Sequence, residues 1–281
     1  MRWLALAVLA TGCSFELPGP DNGPFTGADR DDDGIADADD NCPDLANGDQ
    51  NDWDGDRFGD ACDGCPHLAS VTDPDTDGDG VGDACDPQPG TRDTRILWLG
   101  FADAGELAAW RHSNNAGAWT VSAGALEQTD AAPQLALLDA PSDHGDVAFT
   151  TRIEVTRALT STQTELGFCG GNQPVGLQYY CCAINGGGVR AASYWNGAGT
   201  QLGMGKDWPG TLAVGDAVDV RGIVTAGASE CSFTQGGVTV TTQTPRGPPS
   251  PGSPVFYTGF AAGRFRFLFV VELGSGAAAG T

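Results

Sequence analysis

The pattern of apolar and polar residues predicts a strand-rich region between residues 94 and 273. Short segments of alternating apolar and polar residues are separated there by Gly, Asn and Pro, which is typical of strands joined by turns. Segment 264–269 alternates with a period near two and predicts a half-buried strand. Only 103–110 indicates a helix, and a short one. The predicted strands are 96–101, 118–122, 125–128, 134–138, 146–155, 164–169, 177–184, 189–194, 219–224, 230–234, 238–242, 255–258 and 263–273.

Regularly spaced strands over about 180 residues can bury a sizeable core. They predict an all-β fold, with residues 94–273 forming a single β-sandwich of jelly-roll type. The region before them, 29–86, is different because it contains few apolar residues and cannot bury a core of its own.

Charge gives residues 29–86 a second distinguishing feature. The segment holds twenty aspartates, no Glu, no Lys and only two arginines, and it carries a net charge of −18 out of −23 for the whole chain. By itself this composition is typical of a solvated, disordered linker. The spacing of the aspartates provides an alternative, because it recurs three times and is position-specific.

The recurring frame resembles a calcium loop of 12 positions. Oxygen ligands at positions 1, 3, 5, 9 and 12, a backbone carbonyl at position 7 and a turn-forming glycine at position 6 suit Ca²⁺. Mg²⁺ would demand a tighter octahedron, and Zn²⁺ would prefer His and thiolate ligands. The predicted ligands are Asp29, Asp31, Asp33, Ile35, Asp37 and Asp40, then Asp52, Asp54, Asp56, Phe58, Asp60 and Asp63, then Asp75, Asp77, Asp79, Val81, Asp83 and Asp86.

The second loop departs from this frame because Arg57 stands where the other two loops have Gly34 and Gly80. A non-glycine residue with positive φ costs about 1–2 kcal/mol. We therefore expect the second loop to be the weakest of the three, or to turn differently.

Segment 29–86 resembles thrombospondin type 3 repeats. The resemblance rests on D-x-D-x-D-G-x-x-D-x-x-D-N-C-P at 29–43, N-x-x-Q-x-D at 47–52 and G-D-A-C-D at 59–63 and 82–86. It implies a chain with little regular secondary structure that is wrapped around Ca²⁺ ions and stapled by disulfides. Arg57 and the truncated run at 63–66 depart from the family pattern. The resemblance implies roughly four to six ions.

Nine cysteines fit an exported chain. Cys42, Cys62, Cys65 and Cys85 alternate with the aspartate loops, which favours sequential pairing of Cys42 with Cys62 and of Cys65 with Cys85. A zinc or redox function for Cys62 and Cys65 is disfavoured, because the surrounding aspartates would raise the thiol pKa. In the sandwich region, the adjacent residues Cys181 and Cys182 face opposite sides of one strand. We expect them to reach Cys169 and Cys231, with either assignment open.

The N-terminus predicts export. Residues 1–12 combine one cation with a short apolar run, and 10–13 resemble a bacterial lipobox that ends at Cys13. The resemblance implies that Cys13 is lipidated and, with Ser14 following it, that the protein is sorted to the outer membrane. An ordinary signal peptide, which would make the protein extracellular, is the alternative. Residues 13–28 are expected to form a flexible tether, 87–93 a linker and 274–281 a disordered tail.

The region 94–273 also resembles the concanavalin A-like, LamG-like sandwich. The residues that carry this resemblance are F-A-D-A-G-E-L-A-A-W at 101–110, G-A-W-T-V-S-A-G-A-L-E-Q at 117–128, the long strand from 146 and C-C-A-I at 181–184. The resemblance implies a sandwich fold and identifies no ligand residue.

The sequence predicts no enzymatic activity. Retaining glycosidases need two carboxylates about 5 Å apart, whereas Glu127, Glu154, Glu165 and Glu230 are isolated in the sequence. The aromatic residues Trp119, Tyr179, Tyr180, Trp195 and Trp208 could form a sugar-stacking surface, although aromatic residues in strands are more often core. The strongly acidic chain argues against nucleic acid as a partner.

We therefore predict a calcium-binding surface lipoprotein with a structural or adhesive role. The repeats would act as a calcium-stiffened stalk that presents the sandwich, with calcium, the membrane through the lipid anchor, and an extracellular glycan or matrix protein as partners. The alternatives are a carbohydrate-binding module on the same stalk and a secreted glycan hydrolase without a recognisable motif.

Overall fold

A computed structural model describes residues 27–114, 119–129, 135–160, 164–173, 178–186, 188–195, 202–226, 228–244, 252–259 and 261–274. The predicted signal peptide, the lipidation site Cys13, nearly all of the tether and the tail after Gly274 lie outside the described residues. Within the described part of the chain, no helix is long and apolar enough to cross a membrane.

The described residues form fifteen strands and one short 3₁₀ helix. The strands are β1 Thr94–Leu99, β2 Arg111–Asn114, β3 Trp119–Val121, β4 Leu126–Gln128, β5 Leu135–Asp139, β6 Val147–Val155, β7 Glu165–Gln173, β8 Gln178–Asn185, β9 Gly188–Trp195, β10 Leu202–Lys206, β11 Ala217–Val224, β12 Ser229–Gln235, β13 Val238–Thr244, β14 Ser253–Gly259 and β15 Gly263–Glu272. The 3₁₀ helix is Ala104–Leu107, and Asp103 and Glu106 cap it reciprocally. The predicted helix at 103–110 is therefore only this single turn. Strands β2 and β10 were not predicted.

Two antiparallel sheets pack face to face. The order of strands in the first sheet is β13-β12-β11-β6-β15-β4-β3, with β1 also paired to β15, and in the second it is β10-β9-β8-β7-β14-β5-β2. Phenylalanines from both sheets interdigitate between them: Phe149 lies 4.7 Å from Phe168, and Phe256 lies 4.9 Å from Phe265, between ring centroids. The predicted all-β jelly-roll sandwich is confirmed.

The two adjacent cysteines of β8 point to opposite faces of the second sheet, as strand geometry requires. Cys182 faces the core and is bonded to Cys231 of β12, so this disulfide joins the two sheets. Cys181 faces outward and is bonded to Cys169 of the neighbouring strand β7. These bonds decide the assignment that the sequence left open.

Strand β15 is buried on both faces along its second half. A bulge between Phe265 and Leu268 shifts its register against β6, so Phe265 and Leu268 face the core while Phe267 and Phe269 face outward. A bulge of this kind redirects the side chains that follow it. The strand therefore carries an apolar row on the outer face of the first sheet, beside Trp98 of β1.

The aspartate-rich segment covers this outer row. Described residues 27–93 contain turns and bends but no helix or strand. Trp53 packs on Phe267 with centroids 4.9 Å apart, and His67 stacks on the same ring at 4.9 Å. Val81 and the Cys65–Cys85 disulfide pack against Phe269 and Val271. The second and third loops are therefore packed on the sandwich, a contact that was not predicted from the sequence.

Candidate metal centres in the aspartate repeats

Three groups of aspartates converge at intervals of 23 residues. They are Asp29, Asp31 and Asp33, then Asp52, Asp54 and Asp56, then Asp75, Asp77 and Asp79. In each group, one carboxylate oxygen from every residue lies within 4.8 Å of the others. Positions 1, 3 and 5 of all three predicted loops are thus brought together, including those of the loop that contains Arg57.

The backbone of each loop turns through two left-handed residues. Position 4 has φ 61°, 80° and 73° at Asp32, Gly55 and Gly78, and position 6 has φ 98°, 85° and 88° at Gly34, Arg57 and Gly80. Because Arg57 adopts the same φ as the two glycines, the expectation that the second loop might turn differently is wrong. Asp32 and Arg57 each place a side chain in a conformation that favours glycine.

These turns direct backbone N–H groups at the first carboxylate of each loop. The N–H of position 6 donates to position 1 in all three loops, at 3.2 Å for Gly34, 3.0 Å for Arg57 and 2.9 Å for Gly80. The N–H of position 7 donates to the carboxylate of position 5, at 2.8 Å for Ile35, 2.8 Å for Phe58 and 2.7 Å for Val81. The carboxylates of positions 1 and 5 are therefore oriented by the backbone that wraps around them.

Position 9 holds a carboxylate that bonds to the backbone of its own loop. Asp37, Asp60 and Asp83 lie outside the three groups that converge within 4.8 Å. Each accepts a hydrogen bond from the backbone N–H of position 2, at 2.9, 2.8 and 2.8 Å. These carboxylates close the loop between its second and ninth residues through Oδ1, and their role as ligands stays a prediction.

Position 12 is buried in the second and third loops. Asp63 and Asp86 are only 3% and 6% exposed, and each accepts from the N–H two residues further along. Burial, together with the nearby charges of Asp54, Asp73 and Asp56, raises the pKa of Asp63 to about 7. Burial likewise raises the pKa of Asp86, on which the charges of Asp93 and Asp79 also act. A buried carboxylate among like charges is stabilised by a cation.

The donor set and its unpaired oxygens fit a hard cation. Among the described residues, Asp29 Oδ1, Asp31 Oδ2, Asp54 Oδ2 and both carboxylate oxygens of Asp77 are buried without a hydrogen-bond partner. Burial, together with the charge of Asp56, raises the pKa of Asp54 to about 6. Each group offers only oxygen atoms, which is the ligand preference of Ca²⁺. The residues present therefore fit the calcium ions that the sequence predicts.

Disulfides join successive loops in a regular way. Cys42 is bonded to Cys62 and Cys65 to Cys85, each across 20 residues, which is the sequential pairing expected from the sequence. A glycine lies under each bond: a Cβ on Gly59 would lie 2.7 Å from Cys42 Sγ, and one on Gly82 would lie 2.8 Å from Cys65 Sγ. The G-D-A-C-D motif therefore includes glycine because the chain passes too close to the disulfide for a side chain.

The second loop is also tied to the first sheet by polar contacts. The guanidinium of Arg95 in β1 donates to the backbone carbonyls of Asp63 at 2.6 Å and Ala61 at 3.0 Å. Close by, burial lowers the pKa of His67 to about 4, and its ring stacks on Phe267 and packs against Phe269. The imidazole is thus neutral at pH 7 and acts as an apolar contact.

The structure adds Asp93 to the acidic residues of the third loop, whereas the sequence predicted that this residue belongs to a linker. Asp93 donates its N–H to Asp79 Oδ2 at 2.5 Å across 14 residues. Asn47 and Ser70 make the same bond to Asp33 and Asp56, also across 14 residues. The 23-residue repeat thus extends to a position 19, where the three units have Asn, Ser and Asp, so residue type alone does not identify it.

The aromatic residues proposed as a sugar-stacking surface belong instead to the core where the structure describes them. Tyr180 is 6% exposed within the main core, and Trp119 and Trp208 pack against that core. The side chains of Tyr179 and Trp195 lie outside the described set. The glutamates are paired with residues of the sandwich: Glu127 with Arg264, Glu154 with Arg266, and Glu165 with the hydroxyl of Tyr257.

Comparison with known proteins gives one family match, which covers part of the third unit. Residues 74–88 match the family model of the thrombospondin type 3 repeat. No curated protein matches the chain.

Several solved structures resemble the sandwich at low identity. A carbohydrate-binding module, CBM66 from Bacillus subtilis, is 10% identical, with a TM-score of 0.45 over 56% of this chain and 92% of that one. A β-glucanase from Bacillus licheniformis is 10% identical, with a TM-score of 0.46 over 62% and 96%. Lectin II from Ulex europaeus is 10% identical, with a TM-score of 0.40 over 58% and 92%.

Proposed function

We propose that this chain is an exported calcium-binding protein with a non-enzymatic, structural or adhesive role. The observation that carries the proposal is the convergence of three aspartate groups, each within 4.8 Å, at equivalent positions of a 23-residue repeat. Calcium would neutralise the carboxylates and fix the turns of a segment that cannot bury a core of its own. Four disulfides are consistent with export to an oxidising compartment.

The proposed role of calcium follows from the packing of the repeats. Trp53, His67 and Val81 lie between the aspartate groups and the outer row of the first sheet. Calcium would hold these residues in place and so keep the row covered. Calcium, the repeats and the sandwich would then form one stable unit on the cell exterior, with the rest of the sandwich surface available to an extracellular glycan or matrix protein.

The calcium sites can be tested one loop at a time. The position 3 carboxylates of Asp31, Asp54 and Asp77 are each changed to Asn, and calcium binding by the oxidised chain is measured by isothermal titration calorimetry. In each variant the affinity for one calcium ion should fall by about tenfold or more, because ligand charge sets the affinity of such sites. The exposed Asp39, which lies outside the groups, provides a charge-matched control as Asp39→Asn. Equal binding by the control and all three variants would refute the proposal.

We also propose that the chain is anchored at the outer membrane through a lipid on Cys13. The chain expressed from its own N-terminus should fractionate with membranes after a high-salt wash, and Cys13→Ser should release it. If the Cys13→Ser protein stays on the membrane, lipidation at this residue is not the means of attachment.

A further inference from the structure

Asp93 is a buried carboxylate at the junction between the third aspartate loop and the sandwich. It is 4% exposed. Its Oδ1 accepts a hydrogen bond of 2.7 Å from the N–H of Gly274, which follows β15. Its Oδ2 is buried and has no hydrogen-bond partner among the residues that the structure describes. An unpaired, buried carboxylate oxygen is unfavourable unless a cation lies beside it.

The surroundings of Asp93 are acidic. Its backbone N–H is bonded to Asp79 Oδ2. Burial and the charges of Asp79 and Asp77 raise the pKa of its carboxyl, and its side chain approaches that of Asp86, which has no proton to donate when ionised. Both oxygens of Asp77 are also buried without a partner in the described part of the chain. Asp77 and Asp93 thus each have an unpaired oxygen, and their carboxylates are close enough for their charges to interact.

The side chains at position 19 of the other two units have hydrogen-bond partners within the protein. Asn47 donates to Asn41 Oδ1 at 2.6 Å and accepts from Gln50 at 3.0 Å. The hydroxyl of Ser70 donates to the carbonyl of Thr72. The third unit therefore differs from the others in having both a charge and an unpaired oxygen at position 19.

We propose that Asp93 Oδ2 is a calcium ligand of the third unit, acting with Asp77 and Asp79. This inference rests on the proposed calcium-binding function and extends it. Through the bond from Asp93 Oδ1 to Gly274, calcium in the third unit would fix the C-terminal end of β15. The third unit would then hold its calcium more tightly than the first two, because it has one more charged ligand.

The test compares Asp93→Asn with the wild-type chain by calcium calorimetry. The amide oxygen of Asn can still accept from Gly274, and Asn is the residue that the first unit has at this position, so the change removes the charge with little other disturbance. We expect one ion to bind about tenfold more weakly or worse, and Asp39→Asn to bind as wild type. In the double variant, Asp77→Asn with Asp93→Asn, the loss of calcium binding free energy should be much less than the sum of the two single losses, because both residues act on one ion.

Hydrogen exchange gives a second readout on the wild-type chain. Calcium should slow exchange of the amides at 270–274 in the wild type, and this protection should fall in Asp93→Asn. Unchanged calcium affinity in Asp93→Asn, or strict additivity with Asp77→Asn, overturns the role of Asp93 while leaving the other calcium sites intact. A wild-type chain that binds no calcium overturns this inference together with the proposed function.

Discussion

Single residues decide how easily each aspartate loop turns. Positions 4 and 6 are left-handed in all three loops, and the third loop alone has glycine at both. Asp32 in the first loop and Arg57 in the second each hold a side chain at positive φ, at a cost of about 1–2 kcal/mol. The third loop is therefore the least strained, and the family match at 74–88 coincides with it.

Replacing Arg57 should relieve the second loop. Arg57→Gly removes both the strain at φ 85° and a positive charge beside three carboxylates. We expect calcium affinity of the second loop to rise about tenfold, or the calcium-loaded chain to be stabilised by roughly 1 kcal/mol. Calorimetry and thermal unfolding measure the two effects. The reciprocal change, Gly80→Arg, should weaken the third loop; an Arg57→Gly protein that matches wild type in both measurements would contradict this account.

His67 gives the contact between repeats and sandwich a pH dependence. Burial lowers its pKa to about 4, and Asp219 opposes this while Arg152 and Arg221 add to it. The unfolded chain protonates His67 near pH 6.5. Between these values the unfolded state binds more protons, so stability is lost as the pH falls from about 6.5 to 4.

Changing His67 to Phe should remove this dependence and keep the stacking on Phe267. The stability of His67→Phe relative to wild type, measured by urea unfolding, should rise by about 2–3 kcal/mol between pH 7.5 and pH 4.5. Comparing the two proteins at each pH cancels the titration of the shared carboxylates. A difference in stability that is the same at both pH values would show that His67 does not titrate in this way.

At the scale of elements, the loops depend on close packing beneath the disulfides. A Cβ on Gly82 would lie 2.4 Å from Asp73 Oδ1 and 2.8 Å from Cys65 Sγ, whereas one on Gly90 would meet nothing within 4 Å. Gly82→Ala should therefore destabilise the calcium-loaded chain by about 1–3 kcal/mol, and Gly90→Ala should be neutral. Thermal unfolding of the oxidised proteins distinguishes them. Equal melting temperatures would mean that the chain can move away from the disulfide at no cost.

Sequence periodicity predicted most strands, including all of β15, but for β15 it indicated only one buried face. Alternation of Arg264, Phe265 and Arg266 correctly indicates one buried face. Beyond the bulge, Phe267, Phe269 and Val271 are buried on the outer face because residues about 200 positions earlier cover them. A local pattern cannot reveal a partner so distant in the chain, which is why the sequence did not predict the contact between the repeats and the sandwich.

The aspartate spacing predicted much of the candidate calcium sites. It identified positions 1, 3 and 5 in all three loops, because these alternate on a tightly turned backbone. It also predicted Asp37, Asp60 and Asp83 as ligands, and it did not reveal that these carboxylates bond to backbone N–H groups of their own loops. It missed Asp93, because its relation to Asp79 depends on how the unit closes on itself over 14 residues.

At the scale of the whole molecule, two parts with opposite compositions stabilise each other. The sandwich has its own core, whereas the repeats depend on disulfides, on the outer row of the first sheet and, in our proposal, on calcium. Hydrogen bonds of Arg95 with Asp63 and of Asp93 with Gly274 also connect them. Loss of calcium would expose Trp98, Phe267 and Phe269, an apolar surface that favours association with other molecules.

The most direct test of this account is small-angle X-ray scattering of the oxidised chain, measured with calcium and after its removal by a chelator. If calcium holds the repeats against the sandwich, removal should increase the radius of gyration as carboxylate repulsion separates the repeats from the sheet, and adding calcium back should reverse the change. Magnesium at the same concentration provides the control for ionic strength. Identical scattering curves with and without calcium would contradict the account, because the packed arrangement would then be maintained by the disulfides and the apolar contacts alone.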